Sequence, residues 1–139
     1  MVIGREARSV SIADSMDYVL GFTVVNDVTC RDHQREDGVF GRAKGHDTHC
    51  PMGPSIVSGL DHSDIDIRCE VNGELRQEGN TSDLIFNIPQ LISFVSGVMT
   101  LLPGDVIATG TPSGVGPLKS GDIVEIFVNG LGVLSNSVE

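Results

Sequence analysis

Ile65, Ile67, Cys69 and Val71 alternate with Asp66, Arg68 and Glu70, and Asn72-Gly73 follows at once. Alternation with period two puts apolar side chains on one face of a strand and charges on the other. This stretch must therefore rest one face on a core and wet the other. Asn-Gly is the pair that best tolerates the positive φ angles of a two-residue hairpin turn. The chain is thus predicted to return from residue 74 as a second, antiparallel strand. A fold built on such hairpins is not a helical bundle, and the 17 glycines against 4% aromatic residues point the same way.

The remaining elements fit around that hairpin. Residues 18–25 are β-branched and aromatic and read as a strand, which places Asp27 just past its end. The polar run 31–36 reads as a short helix or turn stopped by Gly38. Residues 41–54 show no periodicity and are predicted to form a long irregular loop, a kind of segment that in compact domains is usually functional.

The main helix starts at Asn87, a good cap, with Pro89 in the first turn. Leu91, Phe94, Val95, Val98 and Met99 share one of its faces, and Gly97 weakens it slightly. Strands are predicted over residues 105–109 and 123–128, with a last short one near Val133 and Leu134 after the Asn129-Gly130 turn. The prediction is one domain over residues 1–139, α+β in class and β-rich, with one main helix.

Charge excludes some functions. With 19 acidic and 9 basic residues the net charge is −10, which would repel nucleic-acid phosphates and anionic membrane surfaces. No apolar run reaches the length of a membrane span, and the first residues lack a signal-peptide pattern. The three cysteines, Cys30, Cys50 and Cys69, are scattered. They read as reduced thiols of a cytoplasmic protein rather than a disulfide framework.

Several residues could carry chemistry, and each has an ordinary alternative. Asp27 at a strand end can hold a hard cation, or simply cap a turn. Arg31 and Gln34, three apart, share a face that suits the oxygens of a small oxo acid, or is merely solvated. Lys44 can stabilise an enolate or oxyanion, or be a loop lysine in water. His46 and His49 with Cys50 suggest zinc, but their spacing does not fit an ordinary structural site. Gly110 and Thr111, in Thr109-Gly110-Thr111-Pro112, open a Gly-rich loop that is neither a phosphate loop nor a dinucleotide fingerprint. Its N–H groups and the Thr111 hydroxyl could hold a carboxylate, or the loop could be a plain β-turn.

Taken together, the runs Asn26-Asp27-Val28-Thr29-Cys30-Arg31-Asp32-His33-Gln34, Ala43-Lys44-Gly45-His46-Asp47-Thr48 and Ala108-Thr109-Gly110-Thr111-Pro112-Ser113-Gly114-Val115-Gly116 resemble the fumarylacetoacetate hydrolase family. The resemblance implies a mixed β-sandwich roll, usually dimeric, with Mg²⁺ or Mn²⁺ in its pocket. It also implies hydrolysis or isomerisation of acylpyruvate-like 2-oxo acids, or decarboxylation of oxaloacetate-like ones. By motif, Asp27 would be a metal ligand, Arg31 and Gln34 would contact substrate or order the site, Lys44 would stabilise the enolate, and Gly110 and Thr111 would hold the oxo-acid end.

Family members carry a Glu-x-Glu metal-binding pair just before a strand end that Val2-Ile3-Gly4 matches here. The expectation is a domain written without its N-terminal portion. Its site would be completed by a longer product, or by a second chain supplying the strand and carboxylates, in which case this chain alone would be a non-catalytic subunit.

Overall fold

The computed structural model describes residues 1–139. Seven strands form two antiparallel sheets. In the first, β1 (Val2–Ile3), β2 (Val19–Val25) and β3 (Met52–Val57) lie side by side in that order. The second contains β4 (Asp66–Val71), β5 (Glu74–Asn80), β6 (Ile123–Val128) and β7 (Gly132–Ser137), in the order β5-β4-β6-β7. Three α-helices, α1 (Arg31–Asp37), α2 (Gly41–Lys44) and α3 (Ile88–Val98), and two 3-10 turns at Ser15–Tyr18 and Thr81–Asp83 complete the chain.

The hairpin is where the alternation put it. Asn72 and Gly73 take φ of 54° and 78°, and Val71 pairs with Glu74 across the turn. Cys69 and Val71 are buried on the inner face, while Arg68 stays outside with its guanidinium 4.5 Å from the Phe127 ring centre. The Asn72 side chain also reaches the start of β6, accepting from the Ile123 N–H and donating to the Asp122 carboxylate, both at 2.9 Å. That amide is the main reason the Asp122 carboxyl sits below the usual carboxylate range.

Three local expectations need correction. Residues 41–54 are not irregular throughout, because Gly41–Lys44 closes one helical turn and Met52 already belongs to β3. Residues 105–109 are extended but make only a single bridge, Val106 to Val2, with Ile3 and Ile107 donating to Asp105 and Met1 carbonyls. A ladder beside a two-residue strand has no more partners to offer. Finally, α3 does have its Asn87–Gln90 capping box and Pro89 in its first turn, but of the expected face only Leu91 and Val95 pack against the core, half-buried. Ile88, Ile92 and Ser96 are buried, while Phe94, Val98 and Met99 are 73%, 65% and 56% exposed. Ser96 is held by the Val10 N–H, which donates to its hydroxyl at 3.1 Å, so a polar residue marks the inward face and hides it from a count of apolar positions.

Only 22 of the 139 residues are buried, because the roll is open. The larger cluster of 13 core residues lines the inner faces of both sheets, and a separate group of Ile3, Ala7, Val10 and Leu101 fills one end. The Met1 ammonium is packed into this interior, donating to the Ile107 carbonyl at 3.0 Å, and burial lowers its pKa from 8.0 to about 6. The unfolded chain then binds the proton more tightly than the folded one between these values. For the 139-residue chain with a free Met1 ammonium, stability should rise with pH from about 6 to 8, by at most ~3 kcal/mol, and level off on either side. Urea midpoints across that range check this, and N-terminal acetylation should flatten the rise.

Candidate functional site

Asp27 lies two residues beyond β2, and the backbone there is clamped to the segment that follows α2. Asn26 N–H donates to the Pro51 carbonyl at 3.0 Å, Val28 N–H to His49 at 3.0 Å and Cys30 N–H to Ala43 at 2.9 Å. This ladder brings the end of β2 and the start of α1 against α2. As a result Lys44, the last residue of α2, donates from its Nζ to the Asp27 carboxylate. Both side chains are 37% exposed, so the pair is open to a ligand. The Lys44 ammonium also stands 5.0 Å from the centre of the Phe40 ring.

Arg31 and Gln34 do share a face of α1, and the Arg31 guanidinium donates to the Gln34 amide oxygen at 2.7 Å. Gln34 orients Arg31 from behind, while Arg31 itself lines the cleft. Gly38, in the left-handed conformation at φ 69°, ends the helix. Across the cleft, Gly110 and Thr111 sit on the loop after residue 109. The Thr111 hydroxyl accepts from the Gln77 amide at 2.8 Å, and the same amide donates to the Pro112 carbonyl at 2.7 Å. Gln77, on β5, therefore positions the loop. Sequence reading missed it, because a polar residue on a strand looks like a wet-face residue.

The loop is pinned a second way. Gly114 has φ 101°, and a Cβ there would run into the Arg76 carbonyl oxygen. Gly114→Ala should cost about 1–3 kcal/mol and displace Thr111. Urea unfolding reads the first effect, and the exchange of the Gln77 side-chain amide protons reads the second.

Asp27, Arg31, Lys44, Gln77, Gly110 and Thr111 all line one cleft of about 1840 Å³, floored by apolar residues of β4 and β6 such as Cys69 and Ile126. Ligand pockets usually span roughly 300–1,000 Å³, so this cleft is roomy for a small acid. Its lining carries Arg31, Lys44 and Arg76 beside Asp27, Asp47 and Glu139, and Lys44 and Arg76 are paired with Asp27 and Glu74. Arg31, bonded only to the neutral Gln34 amide, is the cation left to meet an anion there.

The fit to a hard divalent cation is partial. Asp27 offers a carboxylate, and it belongs to no group of three or more His, Cys, Asp or Glu ligands, the one such group being Cys30, His33 and His46. A single carboxylate suits Mg²⁺ or Mn²⁺ as one ligand of a sphere otherwise filled by water and a chelating ligand.

This site belongs to a defined class. The family model described as the C-terminal domain of fumarylacetoacetate hydrolase matches residues 1–139, and the chain is a member of that family. It is similar to the crystal structure of 5-carboxymethyl-2-hydroxymuconate delta-isomerase from Mycobacterium smegmatis, with a TM-score of 0.97 and 55% identity over 99% of this chain and 55% of that one. It also resembles maleylpyruvate hydrolase from Sphingobium sp. SYK-6, solved with manganese(II) and pyruvate, at a TM-score of 0.90 and 41% identity over 99% of this chain and 50% of that one. Among curated proteins it is 46% identical to oxaloacetate tautomerase YisK of Bacillus subtilis, over 99% of this chain and 49% of YisK. The chain thus spans about half the length of these relatives. No helix is long and apolar enough to cross a membrane, and the three cysteines are free.

Proposed function

We propose that the chain carries the 2-oxo-acid site of a divalent-metal-dependent enzyme that hydrolyses or isomerises acylpyruvate-like substrates through an enolate. The observation that carries this reading is the Lys44–Asp27 pair, with Arg31 lining the same cleft. The relatives support it, because muconate isomerisation, acylpyruvate cleavage and oxaloacetate tautomerisation can each pass through an enol or enolate of a 2-oxo acid.

Each residue has a task. The Arg31 fork, held by Gln34, takes the substrate carboxylate. Thr111 and the N–H groups around Gly110 hold the oxo-acid end from the opposite wall. Lys44 faces the oxygen on which charge develops and stabilises it there. Asp27 would hold Mg²⁺ or Mn²⁺, which supplies Lewis-acid polarisation of a carbonyl oxygen when bound. Hydrolysis adds water across the carbon–carbon bond, giving pyruvate and a carboxylic acid. Isomerisation only moves a proton.

Decarboxylation of an oxaloacetate-like acid is the second reading, favoured by the similarity to a protein that acts on oxaloacetate. It needs the same enolate stabilisation and no activated water. Incubating the chain and Mn²⁺ with an acylpyruvate and with oxaloacetate separates these reactions. Pyruvate plus acid marks hydrolysis, loss of the enol band without pyruvate marks isomerisation, and pyruvate plus carbon dioxide marks decarboxylation. Rates no faster than Mn²⁺ alone on both substrates would overturn the proposal. A homodimer is part of the same reading, supported by the apolar outer face of α3 with Phe94 and Val98 exposed. Light scattering of the purified chain measures that directly, as it does any complex with a second chain that supplies further carboxylates.

A further inference from the structure

We propose that Cys30, His33 and His46 form a binding site for a zinc-class divalent ion, distinct from the hard-oxygen position at Asp27. One ligand atom from each of the three lies within 4.8 Å of the others. His33 Nδ1 and His46 Nε2 are 2.8 Å apart, with the two rings stacked at 4.8 Å between centres. His49 tilts against His46 at 4.8 Å, and its Nδ1 is buried without a hydrogen-bond partner. Buried polar atoms normally have partners, so an orphan on the ring that packs against His46 is informative.

The backbone explains why they meet. Cys30 caps α1, and its N–H is bound to the Ala43 carbonyl of α2. His33 lies on the first turn of α1, and His46 follows α2 by two residues. The ladder that presents Lys44 to Asp27 therefore also stacks these side chains. His46, His49 and Cys50 suggest zinc by residue type but not by spacing, and of these only His46 belongs to the cluster, with Cys30 and His33. No reading along the chain would join Cys30 to His46, sixteen residues later.

One thiolate with two imidazoles is a borderline-soft donor set, which selects Zn²⁺ or Co²⁺ over Mg²⁺ and Mn²⁺. Tetrahedral Zn²⁺, with Zn–N near 2.0–2.1 Å, holds its ligand nitrogens about 3.3 Å apart, so entry of the ion replaces the His33–His46 hydrogen bond with a small spreading of the rings. Binding releases the Cys30 thiol proton to solvent, both imidazoles stay neutral, and water takes the fourth position. The ion would staple α1, which carries Arg31 and Gln34, to the segment after α2, which carries Lys44. It orders the site without touching a substrate, and it stands or fails independently of the reaction proposed above.

Titrating the reduced 139-residue chain with Co²⁺ tests this. The expected result is one-to-one binding with tetrahedral d–d bands and a thiolate charge-transfer band, reversed by Zn²⁺ but not by excess Mn²⁺. Cys30→Ser should abolish the charge-transfer band, and His33→Gln and His46→Gln should each weaken Co²⁺ at least ten-fold. Asp27→Ala should leave the spectrum intact. A second measurement needs no variant: Zn²⁺ should protect Cys30, and not Cys50, from alkylation as read by mass spectrometry. Absence of a tetrahedral spectrum in the folded chain would overturn the proposal. So would a charge-transfer band that survives Cys30→Ser, or equal alkylation of Cys30 with and without Zn²⁺.

Discussion

Replacing Lys44 with Met should slow Mn²⁺-dependent exchange of pyruvate methyl protons for deuterium by about 10²–10³-fold, the usual cost of losing one oxyanion-stabilising donor. The exchange requires the methyl group to lose a proton and the carbonyl oxygen to take up charge, which is the event assigned to Lys44. Methionine keeps the unbranched stem and removes only the ammonium. The fold should hardly notice, because Lys44 and Asp27 are each 37% exposed, and exposed ion pairs contribute little. Proton NMR reads the exchange and urea unfolding reads the fold. A Lys44→Met chain that unfolds normally and exchanges within about three-fold of the parent would remove Lys44 from the chemistry.

The second large effect concerns packing. Ile92 is fully buried against the core while Phe94, two residues later, is 73% exposed. Ile92→Ala should therefore cost about 2–5 kcal/mol, the transfer free energy of the lost methyls plus the cavity left behind. Phe94→Ala in the same helix should stay within about 0.5 kcal/mol in the monomeric chain. Paired urea titrations, at a concentration where light scattering shows monomer, check both. A larger loss at Phe94 than at Ile92 would mean that α3 turns its other face inward.

That helix shows where sequence was and was not enough. Asn87, Pro89 and Gln90 determine the start of α3 locally, through caps that need no tertiary context. Which face turns inward depends on what covers it, and Phe94, Val98 and Met99 look as core-like along the chain as Ile88 and Ile92. The hairpin at Asn72-Gly73 was legible for the same local reason as the cap. Residues 105–109 were not, because an extended stretch becomes a strand only when a neighbour pairs with it, and here that neighbour is two residues long.

The site divides in the same way. The runs around Asp27, Arg31, Lys44 and Thr111 pointed to the family before any fold was known, and the family model covers the whole chain. The ladder from residues 26–30 to residues 43–51 is what turns the runs around Asp27, Arg31 and Lys44 into one wall, and it is visible only in three dimensions. Gln77, holding Thr111 from β5, and Cys30, beside His33 and His46, were silent in sequence for that reason. Their partners lie 34 and 16 residues away at the far ends of these pairs.

The most direct test of the Asp27–Lys44–Arg31 end as a 2-oxo-acid site is calorimetric titration with oxalate, a planar mimic of enolpyruvate, in the presence of Mn²⁺. The expected result is saturable one-to-one binding that succinate does not reproduce and that falls at least about ten-fold in Asp27→Ala, the loss of one charged ligand. Oxalate that gives only heats of dilution, or that binds the Asp27→Ala chain as tightly as the parent, would contradict it.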